Sequence, residues 1–193
     1  MRTSMWHAVL AVLAGAACSD STTAPVTTWS TGLTVANEVP APTGTGTATS
    51  TLGGRATVMV TGGGTAAGTI IYSLTLTGAP TSAITSAHIH AGADSAHGGG
   101  LTPAGTGFGV VRVVLCSSSA PVCPAGAGTV PSTTVTYPSG STAVLGGTAG
   151  PPKTTMTFDG LAAAIKASNA YVNVHTTNNP GGEARGQLVP AAQ

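Results

Sequence analysis

Ala87-His88-Ile89-His90-Ala91-Gly92 and Tyr171-Val172-Asn173-Val174-His175-Thr176-Thr177 are two short runs, far apart in the chain, that carry the clearest signature of its architecture. Each alternates with the period of two that a β-strand imposes, because successive side chains leave opposite faces of a pleated backbone. His88 and His90 therefore share one face of the first run, and Tyr171, Asn173 and His175 share one face of the second. Val172 and Val174, with Ala87 and Ile89, claim the core side, which directs the imidazoles outward or into a cleft. Placed on neighbouring strands, three of the five histidines reach cross-strand distance of one another. Two readings follow. The imidazoles form a three-nitrogen metal site suited to copper or zinc, or they hydrogen-bond to backbone groups, Asn173, Thr176 or Glu183 and lock strand ends without any ion.

Around these runs the chain is built of strand-length segments. Trp29–Asn37, Gly44–Ser50, Arg55–Thr61, Gly68–Thr77, Ser82–Ala91, Gly109–Cys116, Thr133–Tyr137, Thr154–Phe158, Ala170–Thr176 and Glu183–Val189 read as strands, punctuated by Gly53-Gly54, Gly62-Gly63-Gly64, Gly78-Ala79-Pro80, Pro138-Ser139-Gly140 and Gly181-Gly182. Many short strands at this spacing predict an all-β fold, an antiparallel Greek-key sandwich or barrel of immunoglobulin-like or superoxide-dismutase-like form. One short helix interrupts it: Asp159 is placed to cap Gly160–Ala167, with Asn169 near the stop. The core is expected from Val58, Val60, Ile70, Tyr72, Leu74, Leu76, Ile89, Val111, Val113, Val172, Val174 and Leu188.

Composition excludes several functions. Charged residues make up 6% of the chain, the formal net charge is +1 and aromatics are 4%, so nucleic-acid binding has no electrostatic footprint. No nucleophile elbow, carboxylate pair, phosphate loop or HExxH is present, and five acidic residues leave a hydrolase few choices. The expectation is a non-catalytic module with a protein or glycan partner.

The N-terminus reads as an export signal over residues 1–17: Arg2, an apolar run from Met5 to Ala14, then Gly15-Ala16-Ala17 before Cys18. This resembles the bacterial lipobox, in which the cysteine is lipidated, although Gly15 stands where a leucine is usual. The alternative is an ordinary secretory signal cut near Ala17. Residues 18–28, with Pro25, read as a tether, and 29–190 as one domain. The chain would then be exported, in the periplasm or at the outer membrane, touching a membrane only through a lipid on Cys18, or else secreted. Cys116 and Cys123 remain as a pair enclosing a short loop; in an oxidising compartment they are expected to form a disulfide.

Three motifs in order, Asn37-Glu38-Val39-Pro40, Ala87-His88-Ile89-His90-Ala91-Gly92, and Tyr171 to Thr176 running on through Pro180-Gly181-Gly182-Glu183-Ala184-Arg185-Gly186-Gln187, resemble the CHRD domain over roughly residues 30 to 190. CHRD domains are repeated in chordin and found singly in many bacterial exported proteins. The resemblance implies a β-sandwich of poorly defined activity. Glu38, Glu183 and Arg185 all fall in these motifs, and in a chain so poor in charge they are expected to pair as a clasp between first and last strands. A second likeness is to Cu/Zn superoxide dismutase, where an H-x-H strand and a later V-H strand place copper-binding imidazoles on a Greek-key barrel. His88, His90, His175 and Arg185 follow a similar order, but a distinct zinc set is missing: only Asp94 and His97 remain in the Gly92–Gly107 loop, and His7 lies in the leader. Dismutase activity is not expected.

Overall fold

A computed structural model describes residues 27–38, 41–42, 49–91, 110–119, 121–139 and 156–192. The export segment, Cys18, the tether before residue 27, residues 43–48 and the loop carrying Asp94 and His97 lie outside the described residues.

Among the described residues nine strands and one α-helix follow in order: β1 (Thr27–Thr34), β2 (Gly53–Gly62), β3 (Gly68–Thr77), β4 (Ile84–Ala91), β5 (Val110–Cys116), β6 (Gly128–Tyr137), α1 (Phe158–Lys166), β7 (Ala170–Thr176), β8 (Ala184–Gln187) and β9 (Val189–Pro190). They form one antiparallel sheet in the order β5-β4-β7-β8-β1-β2-β3-β6, with β9 beside β1. The fold is the all-β, nearly closed barrel or sandwich with one helix that the strand pattern predicts. β4 beside β7 and β3 beside β6 are crossed-over neighbours, the mark of Greek-key connection. Tyr72 on β3 crosses the interior, its hydroxyl donating to the Leu115 carbonyl of β5 at 3.0 Å.

Alternation builds the core. Trp29 and Leu33, Ala56 and Val58, Ile70, Tyr72, Leu74 and Leu76, Ala87 and Ile89, and Val172 and Val174 are all buried, each two residues or a multiple of two from its companion. Val111 alone among the expected core residues is only half-buried. Its register explains this: β5 carries irregularities against β4 between Ala87 and His88 and again between Ile89 and His90, so Leu115 and Arg112 are extra residues and the parity of β5 shifts. Arg112 and Val113 are consequently both buried.

Other boundaries move for local reasons. The first strand ends at Thr34, and Val35–Asn37 forms a 3-10 turn. Thr154–Phe158 is not a strand in its described part: the Thr157 hydroxyl accepts from the Gly160 N–H at 3.0 Å and caps α1, and Phe158 is the first helical residue. Asp159 is thus inside the first turn and not the cap; its carboxylate accepts from the Gly64 N–H. Ser168, at φ 56°, ends the helix, which lays Phe158, Leu161 and Ile165 on the core. The last expected strand splits around buried Leu188 into β8 and β9. No helix among the described residues is long and apolar enough to cross a membrane.

The Cys116–Cys123 disulfide is present, closing the loop beyond β5, and its Cys116 pairs in register with Ala87.

Candidate metal centre

β4 and β7 are antiparallel neighbours with Ser86 opposite His175, His88 opposite Asn173 and His90 opposite Tyr171. This register, dictated by seating Ile89 against Val172 and Ala87 against Val174 in the core, places all three imidazoles on the opposite face of the sheet. Ring centroids are 5.0 Å apart for His88 and His175, 5.7 Å for His88 and His90, and 5.9 Å for His90 and His175. One ligand nitrogen from each ring lies within 4.8 Å of the others.

Strand parity is right about direction but not about exposure. The face bearing the imidazoles is a second, polar interior: His90 is 8% exposed, Asn173 3%, Arg185 3% and Tyr171 1%, while His88 and His175 are half-buried. β7 is thus covered on both sides, which alternation of Val and polar residues does not announce.

Each imidazole is held differently. His175 Nδ1 lies 3.0 Å from the Pro180 carbonyl, an acceptor only, so Nδ1 carries the proton and Nε2 presents its lone pair. That Nε2 is buried and makes no hydrogen bond, and the same holds for His88 Nδ1. His90 stacks on Tyr171 at 4.8 Å with 7° between planes, and the guanidinium carbon of Arg185 sits 3.5 Å from the centre of the Tyr171 ring. Burial, with a smaller contribution from His175, pushes the His88 pKa down to about 4. Burial also lowers His175, opposed by its bond to the Pro180 carbonyl. Both rings are therefore neutral at pH 7, the form that binds a metal.

The expected clasp takes another form at Glu183. Its fully buried carboxylate accepts at Oε1 from Ser50 Oγ (2.6 Å) and Thr81 N (2.8 Å), and at Oε2 from Thr81 Oγ1 (2.6 Å), Thr176 Oγ1 (2.5 Å) and Asn179 Nδ2 (2.9 Å). All these donors are uncharged. Burial alone would raise its pKa, but the bonds from Ser50, Thr176 and Thr81 outweigh it and hold the carboxyl at about 2. Glu38, also buried, accepts from Asn173 Nδ2 at 3.3 Å, and Asn173 is the register partner of both His88 and Arg185. Glu38 and Arg185 thus approach the same β7 residue from the two ends of the chain. The sequence motifs carry Glu38, Glu183 and Arg185, but Ser50, Thr81 and Asn179 could not be singled out, because isolated Ser, Thr and Asn are common here and no spacing marks them.

What the fold and this layer define is a β-barrel module with a histidine cluster on its polar side. The chain matches the family model of the CHRD domain over residues 29–188 and belongs to that family. Neither the comparison with curated proteins nor that with solved structures found a match.

Proposed function

We propose that this CHRD domain is a non-catalytic module of the bacterial cell envelope that holds one copper or zinc ion through His88, His90 and His175. The observation that carries the reading is the pair of buried ring nitrogens, His88 Nδ1 and His175 Nε2, that make no hydrogen bond inside a cluster of three imidazoles. A buried polar atom left unsatisfied costs about 1–3 kcal/mol, and a cation bound by both nitrogens in their lone-pair form removes that cost. The donor chemistry suits copper and zinc, which take neutral imidazole nitrogen at about 2.0–2.1 Å. Three donors on a tetrahedral ion stand about 3.4 Å apart by that geometry, so side-chain rotation on the order of 1 Å closes the cluster from its 4.8 Å spread. Export is supported by the leader-like residues 1–17, by Cys18 after small residues, and by a disulfide, which persists in oxidising compartments. Lipidation at Cys18 would tether the module to a membrane, and a protein or glycan is the partner class proposed for its remaining surface.

The test is metal analysis and titration of protein purified without a histidine tag. The expected result is one Cu(II) or Zn(II) per chain in the wild type and none in the His88→Ala/His175→Ala variant. A folded wild type that retains neither ion would leave the imidazole layer as a purely structural polar interior.

A further inference from the structure

The three imidazoles differ in what their rings lie against, and one of them is stacked on an aromatic plate. His90, Tyr171 and Arg185 lie on three successive strands, β4, β7 and β8, with His90 directly opposite Tyr171 and Arg185 one diagonal step away. The Tyr171 ring, central in that strand order, contacts both neighbours: the guanidinium carbon is 3.5 Å from its centroid, and a nearly parallel imidazole is 4.8 Å away. All three side chains are at least nine-tenths buried. Face-to-face stacking restricts rotation about the last side-chain torsion, which is otherwise a broad, soft degree of freedom for histidine. A cation over the phenol adds attraction to the ring and helps to hold it in place.

From this geometry we infer that Tyr171, clamped by Arg185, is the positioning residue that sets the ring plane of His90 and so the arrangement of the three nitrogens around a bound ion. This rests on the proposed metal reading and adds to it the residues that orient one ligand. The division of labour is coherent. Pro180 fixes His175 through its carbonyl, the Tyr171–Arg185 pair fixes His90, and the half-buried His88, in edge contact with His90, is left to move onto the ion. Outer groups of this kind typically change metal affinity 10- to 100-fold when removed.

The experiment compares full-chain wild type with Tyr171→Phe, Tyr171→Leu and Arg185→Lys. It uses Cu(II) and Zn(II) titrations, the Cu(II) electron paramagnetic resonance spectrum, and side-chain nitrogen relaxation of His90 in the metal-free protein. Tyr171→Phe keeps the flat plate and is expected to bind within about 3-fold of wild type with an unchanged spectrum. Tyr171→Leu removes it and is expected to bind 10- to 100-fold more weakly, with a broadened, heterogeneous spectrum and faster His90 ring motion before metal is added. Arg185→Lys keeps the charge without the planar group and is expected to fall between; it serves as the second variant should Tyr171→Leu not fold. Wild-type affinity and spectrum in both Tyr171→Leu and Arg185→Lys would overturn the positioning role while leaving metal binding intact. Equal losses in Tyr171→Phe and Tyr171→Leu would overturn it in favour of the hydroxyl. Absence of metal from a folded wild type would overturn the metal reading itself and this inference with it.

Discussion

His88 shows how a residue's surroundings decide its chemistry. An exposed histidine is half-protonated near pH 6.5, whereas His88 is held neutral down to about 4 because its ring is desolvated and faces His175. The consequence for stability has a definite sign. The unfolded chain takes up the proton near 6.5 and the folded one only near 4, so the folded state is fully favoured above 6.5 and loses ground as pH falls from 6.5 to about 4. Metal-free protein is expected to show this decline in urea titrations at a series of pH values, with a slope of at most about 1.4 kcal/mol per pH unit from this group. His88→Leu should flatten that limb; a variant as steep as wild type would assign the decline to other groups. The sequence points to the direction of this side chain by parity alone, but not to its burial, because the residues that cover the face come from separate strands and turns.

At the scale of elements, the turn between β7 and β8 joins the site to the sheet. Pro180 holds His175, the Gly181 carbonyl lies 3.4 Å from Asn173 Nδ2, and Gly182 takes φ +134° against Glu38 and Asn173. A Cβ on Gly182 would stand 2.5 Å from Asn173 Nδ2 and 2.6 Å from Glu38 Cδ, whereas one on Gly181 would meet nothing within 4 Å. Gly182→Ala is therefore expected to destabilise the fold by about 2–3 kcal/mol through strain and clash. Gly181→Ala should stay within about 1 kcal/mol of wild type. Equilibrium denaturation of the two variants side by side checks the contrast, and equal losses would refute it. The elements are unequally legible in the sequence, for a physical reason. β3, which alternates in burial along its length, and β7, whose valines alternate with Tyr171, Asn173 and His175, match their expected spans. β5 has two extra residues in its ladder, which local alternation cannot reveal because a bulge is defined by the partner strand. The start of α1 was obscured because Thr157 and Asp159 are both good caps in isolation, and only the Gly160 N–H bonding to Thr157 settles it.

Over the whole molecule, Glu183 is the point where separate segments meet: the loop before β2 (Ser50), the loop before β4 (Thr81), the end of β7 (Thr176) and the turn after it (Asn179). Glu183→Gln is nearly the same size but replaces one acceptor oxygen with a donor. On one side its NH2 would face the Thr81 N–H, which can only donate; on the other it would face Asn179 Nδ2, whose amide would have to turn over and give up its donation to Thr81 Oγ1. A loss of about 2–4 kcal/mol is expected on denaturation. In wild type the carboxylate's contribution is complete above the usual carboxyl range near 4.5 and disappears as pH falls toward 2, so the variant should lack that acid limb. A Gln variant as stable as wild type would mean that Ser50 and the threonines re-pair without it.

The all-β class, the faces on which Val172, Val174, Ile89 and the three histidines lie, the Cys116–Cys123 pair and the family are legible in the chain alone, because period-two alternation and contiguous motifs are local properties written along one strand at a time. It takes the folded molecule to set β4 beside β7 in the register that gathers His88, His90 and His175, to bury their face as a polar layer, to bring Tyr171 against both His90 and Arg185, and to satisfy Glu183 with hydroxyls and amides. Those features depend on which distant segments become neighbours, and strand pairing is chosen by the packing of the whole apolar core rather than by the residues that end up facing one another across it.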